Sequence, residues 1–237
     1  MMMKKRAVAL ISGRGSNMEA LMAAATASDY PVEFVGVVSN RPEARGLSIA
    51  RERGVETVAV PQRDHSDRAA HEEAVHAAIA GFAPDIVCLA GYMRILSPAF
   101  VARWRGRMIN IHPSLLPAFP GLHTHRRALE TGVRIHGCSV HFVTEVMDEG
   151  PIVAQAAVPV LADDDEDALS ARVLAAEHIL YPHALALVAR GHARMEGDGV
   201  RFAGGDRDDP DARLIAPAPD RAGSGEPDLE YLARFTP

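Results

Sequence analysis

A chain of 237 residues with 48% hydrophobic content is sized for one α/β domain with a short appendage and a sizeable core. Its formal net charge of −6 excludes an obligate binder of nucleic-acid backbones, which shows a basic face, while leaving room for one phosphate in a local pocket. No run approaches the roughly 18 apolar residues of a membrane span, and the apolar stretch at 7–11 is too short for a signal h-region, so a cytoplasmic protein is expected.

The elements follow in order. Residues 7–12 form a continuous apolar run, expected as a strand buried on both faces. A helix is predicted over 16–27, with Ser16 or Asn17 at its N-cap. Strands are predicted at 33–39, 57–60 and 86–89, with helices at 47–53, stopped by Gly54, and at 66–80, ending at Gly81. This alternation implies right-handed crossovers and a mostly parallel, Rossmann-like sheet with helices on both faces.

After Gly91 the rhythm changes. A short helix is predicted at 98–104 and a strand at 108–112; residues 113–121 carry too many prolines for regular structure. Thr124 is expected to cap a helix through Thr131. Strands follow at 138–142 and 152–159, joined by a loop containing Met147 to Gly150. The acidic run from Asp163 to Asp167 reads as a capping device for a long helix reaching about Arg190, kinked near Pro182. A hairpin is expected over 193–203. Residues 205–237, aperiodic and rich in Gly, Pro and Asp, are expected as a disordered or loosely packed tail on a single domain of residues 1–204.

Several residues stand out chemically. Cys88 and Cys138 lack CxxC spacing and sit in apolar runs, so they read as buried thiols in a reducing compartment. Ser12-Gly13-Arg14-Gly15-Ser16-Asn17 places a glycine turn between a strand and a helix N-terminus, where free N–H groups suit an anion. Met18 stands where a dinucleotide fingerprint needs its third glycine, so a phosphomonoester fits better; a mere tight turn is the plain alternative. Asn110 and His112, two apart on one strand, share a face. Pro113 ends that strand at the carboxyl edge of the sheet, where ligands bind. A strand-end His is often structural, but an Asn beside it can help hold an oxyanion. Asp148 is ordinarily a turn former and gains meaning only if the fold brings it to His112. Glu177 falls within the apolar stripe of the long helix and therefore needs a partner, either a protein group or a ligand amine. His123 and His125 open a helix without metal-ligand spacing, so no metal is expected.

Taken together, ISGRGSN at 11–17, AGYMRILSPAF at 90–100, NIHPSLLPAFPGLHTH at 110–125, HGCSVHFV at 136–143, MDEGP at 147–151 and SARVLAAEH at 170–178 resemble the folate-dependent phosphoribosylglycinamide formyltransferases. The resemblance covers about residues 6–200. It implies a formyltransferase fold and 10-formyltetrahydrofolate as co-substrate, with formyl transfer to the amine of a phosphoribosylglycinamide in purine biosynthesis. It further implies a catalytic trio of Asn110, His112 and Asp148. Gly15, Ser16, Asn17 and Glu177 would hold the ribonucleotide. Arg68, Met93, Arg94, Ile95, Leu96 and Thr144, with Asn110 and Asp148, would hold the folate. Arg14 and Ala118 replace polar or basic residues common at those motif positions. A tRNA formyltransferase would carry a nucleic-acid-binding C-terminal domain, for which the acidic residues after Gly204 are too few. A formyltetrahydrofolate hydrolase would need an N-terminal regulatory domain, for which the predicted first strand leaves no space. A non-catalytic nucleotide-binding module would not need the Asn/His/Asp set. Both a monomer and a homodimer remain open.

Overall fold

The computed structural model describes residues 3–203 together with residues 214 and 216. The tail expected over 205–237 therefore falls, apart from those two positions, outside the described residues. Seven strands build the main sheet: β1 (Lys5–Ile11), β2 (Val32–Ser39), β3 (Thr57–Ala59), β4 (Ile86–Leu89), β5 (Met108–His112), β6 (Ile135–Phe142) and β7 (Ile152–Pro159). Their order is β3-β2-β1-β4-β5-β6-β7. Neighbours from β3 to β5 pair in parallel, while β6 runs antiparallel to both β5 and β7.

The apolar runs give two cores because successive strand residues face opposite ways. Ala7, Ala9 and Ile11 of β1, with Cys88 and Ile109, enter one cluster. Val8, Leu10, Val87, Leu89 and Met108 enter the other. The first cluster is covered by α1 (Ser16–Ala25), α2 (Arg45–Glu52), α5 (Thr124–Thr131) and α6 (Glu166–Ala189), and the second by α3 (Arg68–Gly81) and α4 (Pro98–Arg103). Helices thus lie on both faces, as expected. A separate hairpin, β8 (Ala193–Glu196) with β9 (Gly199–Phe202), follows α6.

Two expected caps are corrected. The N-cap of α1 is Gly15, in the left-handed conformation at φ 78°, rather than Ser16 or Asn17. A Cβ at Gly15 would stand 2.8 Å from the Gly46 Cα, so glycine meets both the turn and the close approach of α2. His123, not Thr124, caps α5, also left-handed at φ 57°. The acidic run does cap α6: Asp165 accepts from the Ala168 N–H at 2.8 Å. That helix continues through Pro182 without a break, and the Pro182 carbonyl accepts the Tyr30 hydroxyl at 2.7 Å.

Strand order reverses direction between β1 and β4, which puts a crevice outside their carboxyl ends. Buried Tyr181 of α6 braces the strands below it, donating to the carbonyls of Leu89 and Ile109 at 3.0 and 3.1 Å.

Candidate active site

At the end of β1, buried Ser12 joins three loops. Its Oγ donates to Asn40 Oδ1 at 2.6 Å and accepts from the Met93 N–H at 2.8 Å, while its own N–H reaches the Gly91 carbonyl at 3.0 Å. The glycine turn that follows is pinned to α2 by Gly46 N–H donating to the Gly13 carbonyl at 3.1 Å. It feeds directly into α1, leaving the first-turn N–H groups of Ser16 and Asn17 at a positive helix end.

Asn17 and Glu177 meet there. The Asn17 Nδ2 donates to Glu177 Oε2 at 2.7 Å, which supplies a partner for the buried carboxyl at a stripe position of α6. Burial pushes the Glu177 carboxyl above its usual range, and the Asn17 hydrogen bond opposes that shift. The Asn17 Oδ1 is buried with no hydrogen-bond partner among the described residues, so it is an unpaired acceptor.

The second cluster forms where β5 ends. Asn110 and His112 lie on one face, opposite His141 and Ser139 of antiparallel β6. His112, only 6% exposed, presents Nε2 to the Phe119 carbonyl at 3.1 Å and Nδ1 to Asp148 Oδ2 at 3.5 Å. The second distance is longer than a tight hydrogen bond. Both ring nitrogens thus face oxygen acceptors, an environment that a doubly protonated ring would fill completely. Asp148 sits at φ 58°, and its Oδ2 is held by the Gly121 N–H at 2.8 Å. The loop carboxylate therefore does reach the strand-end imidazole.

His141, which sequence reasoning did not single out, completes this cluster. Its Nδ1 donates to the Phe142 carbonyl at 3.0 Å, leaving Nε2 to accept from Asn110 Nδ2 at 3.2 Å. Burial holds the ring below the usual histidine range, in keeping with the neutral tautomer those contacts require. Its Nε2 is also 3.8 Å from Asp148 Oδ1. The nearby Gly150 has to be a glycine, because a Cβ there would overlap the Phe142 carbonyl. Ser139, the partner of His112 across the sheet, anchors the proline-rich loop. It accepts from the Leu116 N–H at 3.0 Å and donates to the Ser114 carbonyl at 2.7 Å.

The segment expected to face a folate follows β4. Met93, Arg94 and Ile95 line, with Arg68, an open cleft of about 330 Å³. Met93 and Ile95 are exposed apolar side chains, a suitable surface for a flat heterocycle. Arg68 donates to Glu72 Oε1 and to the Ile95 carbonyl, both at 2.9 Å. Glu72 in turn holds the Ser97 N–H at 3.0 Å and the Ser97 hydroxyl, fixing the loop to α3. Leu96 packs against the core beneath. Thr144 is occupied within its own turn, donating to the Val146 carbonyl at 3.2 Å.

Cys88 and Cys138 are free and buried, and burial pushes both thiols up to about 12, which makes them poor nucleophiles at neutral pH. Among the described residues no group of three or more His, Cys, Asp or Glu is arranged to hold a metal ion. No helix among them is long and apolar enough to cross a membrane.

Comparison with known proteins places this geometry. The formyl transferase family model matches residues 5–185. Phosphoribosylglycinamide formyltransferase of Escherichia coli K12 is 46% identical over 197 residues, covering 83% of this chain and 93% of that protein. The trifunctional purine biosynthetic protein adenosine-3 of Drosophila melanogaster is 45% identical over 192 residues; the match takes in 80% of this chain and only 14% of that much longer protein. Among solved structures, a phosphoribosylglycinamide formyltransferase from Brucella melitensis superposes with a TM-score of 0.76 at 56% identity, covering 78% of this chain and 96% of that one.

Proposed function

The chain belongs to the formyl transferase family, and from that premise we propose that it moves a formyl group from 10-formyltetrahydrofolate to the amine of a phosphoribosylglycinamide. The observation that carries this reading is the meeting of Asn110, His112 and Asp148 at the carboxyl edge of the sheet, with His112 and Asp148 3.5 Å apart.

In this reading the ribonucleotide phosphate takes the N–H groups of Gly15, Ser16 and Asn17 at the start of α1. Glu177, paired with Asn17, receives the glycinamide end. The folate lies along residues 93–96, with Arg68 meeting its terminal carboxylates and Thr144 at the rim.

The neutral amine attacks the formyl carbon, and the formyl oxygen becomes an oxyanion. Asn110, whose Nδ2 is oriented by His141, offers its second N–H to that charge, and a protonated His112 faces it as a cation, donating once its Nε2–H is released from the Phe119 carbonyl. The tetrahedral intermediate collapses when the bond from carbon to the folate nitrogen breaks. The leaving nitrogen gains a proton, the attacking nitrogen loses one, and His112 is placed to carry the exchange. Asp148 keeps the imidazolium oriented and electrostatically compensated. The chemistry needs no metal, since the nucleophile is already an amine.

The catalytic unit in this proposal is residues 1–204, and every residue invoked lies in one chain, so either a monomer or a homodimer would serve. A cytoplasmic setting fits the two free, buried thiols.

The test offers glycinamide ribonucleotide, initiator tRNA and water as competing acceptors for 10-formyltetrahydrofolate, followed by absorbance. Transfer to the ribonucleotide is expected to exceed the other two by orders of magnitude. Preferential formylation of tRNA, or donor hydrolysis that ignores the ribonucleotide, would overturn the assignment.

A further inference from the structure

Gln155 of β7 makes contacts that no step of the formyl transfer uses. In the antiparallel half of the sheet His112 pairs with Ser139, and Ser139 with Gln155. Side chains directly opposite one another across such strands share a face, so the three form one row from β5 to the edge strand β7. The Gln155 Nε2 donates to the Leu116 carbonyl at 2.9 Å and to the Ser139 hydroxyl at 2.8 Å. A carbonyl only accepts, which fixes the direction of the amide. The Ser139 hydroxyl gives its one hydrogen to the Ser114 carbonyl and takes the Leu116 and Gln155 N–H groups on its two lone pairs, so it is saturated. Gln155 thereby closes a network around residues 114–116.

We propose that Gln155 is a positioning residue for the pair His112 and Asp148, acting through the loop of residues 113–121. The proposal rests on the reading of that pair as the formyl-transfer centre. The loop delivers two groups that hold the pair in the resting chain: the Phe119 carbonyl on His112 Nε2 at 3.1 Å and the Gly121 N–H on Asp148 Oδ2 at 2.8 Å. Phe119 stands at φ 54°, a left-handed backbone that a bulky residue keeps only where its surroundings enforce it. From the C-terminal side Arg127 enforces it, its guanidinium donating to the Pro120 carbonyl and lying 5.6 Å from the Phe119 ring. From the N-terminal side the hold passes through the Ser114 hydroxyl, which donates to the Ala118 carbonyl at 2.7 Å, and back to Ser139 and Gln155. Removing the Gln155 donors takes from the Leu116 carbonyl and the Ser139 hydroxyl a partner that fixes them, and loosens that side of the loop. The Gln155 hydrogen bonds reach neither the imidazole nor the carboxylate, so its effect belongs to the chemical step rather than to substrate binding.

The experiment compares the full native chain with Gln155→Leu and Gln155→Lys. Gln155→Leu removes both donors at an exposed position of an edge strand and should keep the native circular dichroism. Its kcat is expected to fall by about three- to tenfold, the scale of one lost hydrogen bond, with KM for 10-formyltetrahydrofolate and for glycinamide ribonucleotide unchanged. Gln155→Lys, which returns N–H donors to the Leu116 carbonyl and the Ser139 hydroxyl, should recover most of that loss. A second readout needs no turnover. The imidazole nitrogen resonance of His112 Nε2, followed by NMR in the substrate-free chain, should move in Gln155→Leu and return toward its native position in Gln155→Lys. A kcat in Gln155→Leu that matches the native value, a loss expressed in KM, or a Gln155→Lys variant no better than Gln155→Leu would overturn the proposal. So would a His112 resonance that stays put while only Tm falls. If the native chain transfers no formyl from 10-formyltetrahydrofolate, the underlying reading of the pair falls instead, and the resonance alone then judges the positioning.

Discussion

In the proposed mechanism the imidazole of His141 acts through Asn110. Its Nε2 is the acceptor that turns the Asn110 amide toward the site. His141→Leu removes that acceptor, and turnover should fall about tenfold, on the scale of a weakened oxyanion contact, with little change in either KM. His141→Gln, which keeps an acceptor, should recover part of the loss; equal kcat in the two variants would show that the ring only fills space. Glu177 makes a different prediction. Its folded-state value is raised by burial, so the folded chain binds its proton more tightly than the unfolded chain does. Stability therefore falls as pH rises from the usual carboxylate value near 4.5 toward the raised one. Glu177→Gln should flatten that slope in thermal melts between pH 4 and 7, while raising KM for the ribonucleotide. Asn110 and His112 were legible in the sequence because a period of two puts them on one face and Pro113 ends the strand. His141 was not, since its meeting with Asn110 depends on an antiparallel register between β5 and β6 that no local pattern encodes. Asp148 was legible as a residue but not as a neighbour: its position depends on a left-handed backbone and on the Gly121 N–H across the loop.

At the scale of elements, α6 is held at its start by a bidentate pair. Arg172 donates to both oxygens of Asp164 at 2.6 and 2.8 Å, and Asp164 is 4% exposed. The Arg172 hydrogen bonds hold the Asp164 carboxyl below its usual range. A depressed folded value means stability that is present above the unfolded value and lost as pH falls through the folded one. Asp164→Asn should cost about 1–2 kcal/mol at pH 7, read as a lower Tm. The difference from the native chain should close in strongly acidic melts; a gap of constant size would assign the loss to packing. The acidic run announced this helix start in the sequence, as the strand–helix rhythm announced the parallel half of the sheet. The caps of α1 and α5 were misplaced for one shared reason. Both helices begin from left-handed residues, Gly15 and His123, where the chain turns sharply, so the side-chain caps that sequence rules seek were not used.

Across the whole molecule, the three loops at the crevice are tied by one hydroxyl. Ser12 links the glycine turn to Asn40 and to the Met93 N–H, so the proposed ribonucleotide and folate sites share a support. Ser12→Ala should raise KM for both substrates by a few-fold, on the scale of a lost buried hydrogen bond, with kcat less affected. Ser12→Thr, which retains the hydroxyl, should restore both; a rise confined to one substrate would deny the coupling. The proposed mechanism requires the loop carboxylate and the strand-end imidazole to act as one unit. The most direct test is single-turnover formyl transfer by His112→Ala, Asp148→Asn and the double variant. His112→Ala is expected to slow the step by about 100-fold or more, Asp148→Asn to slow it with little change in substrate binding, and the double variant to be scarcely slower than the worse single. Losses that multiply in full would mean that the two residues act independently, and the pairing at the centre of this mechanism would be wrong.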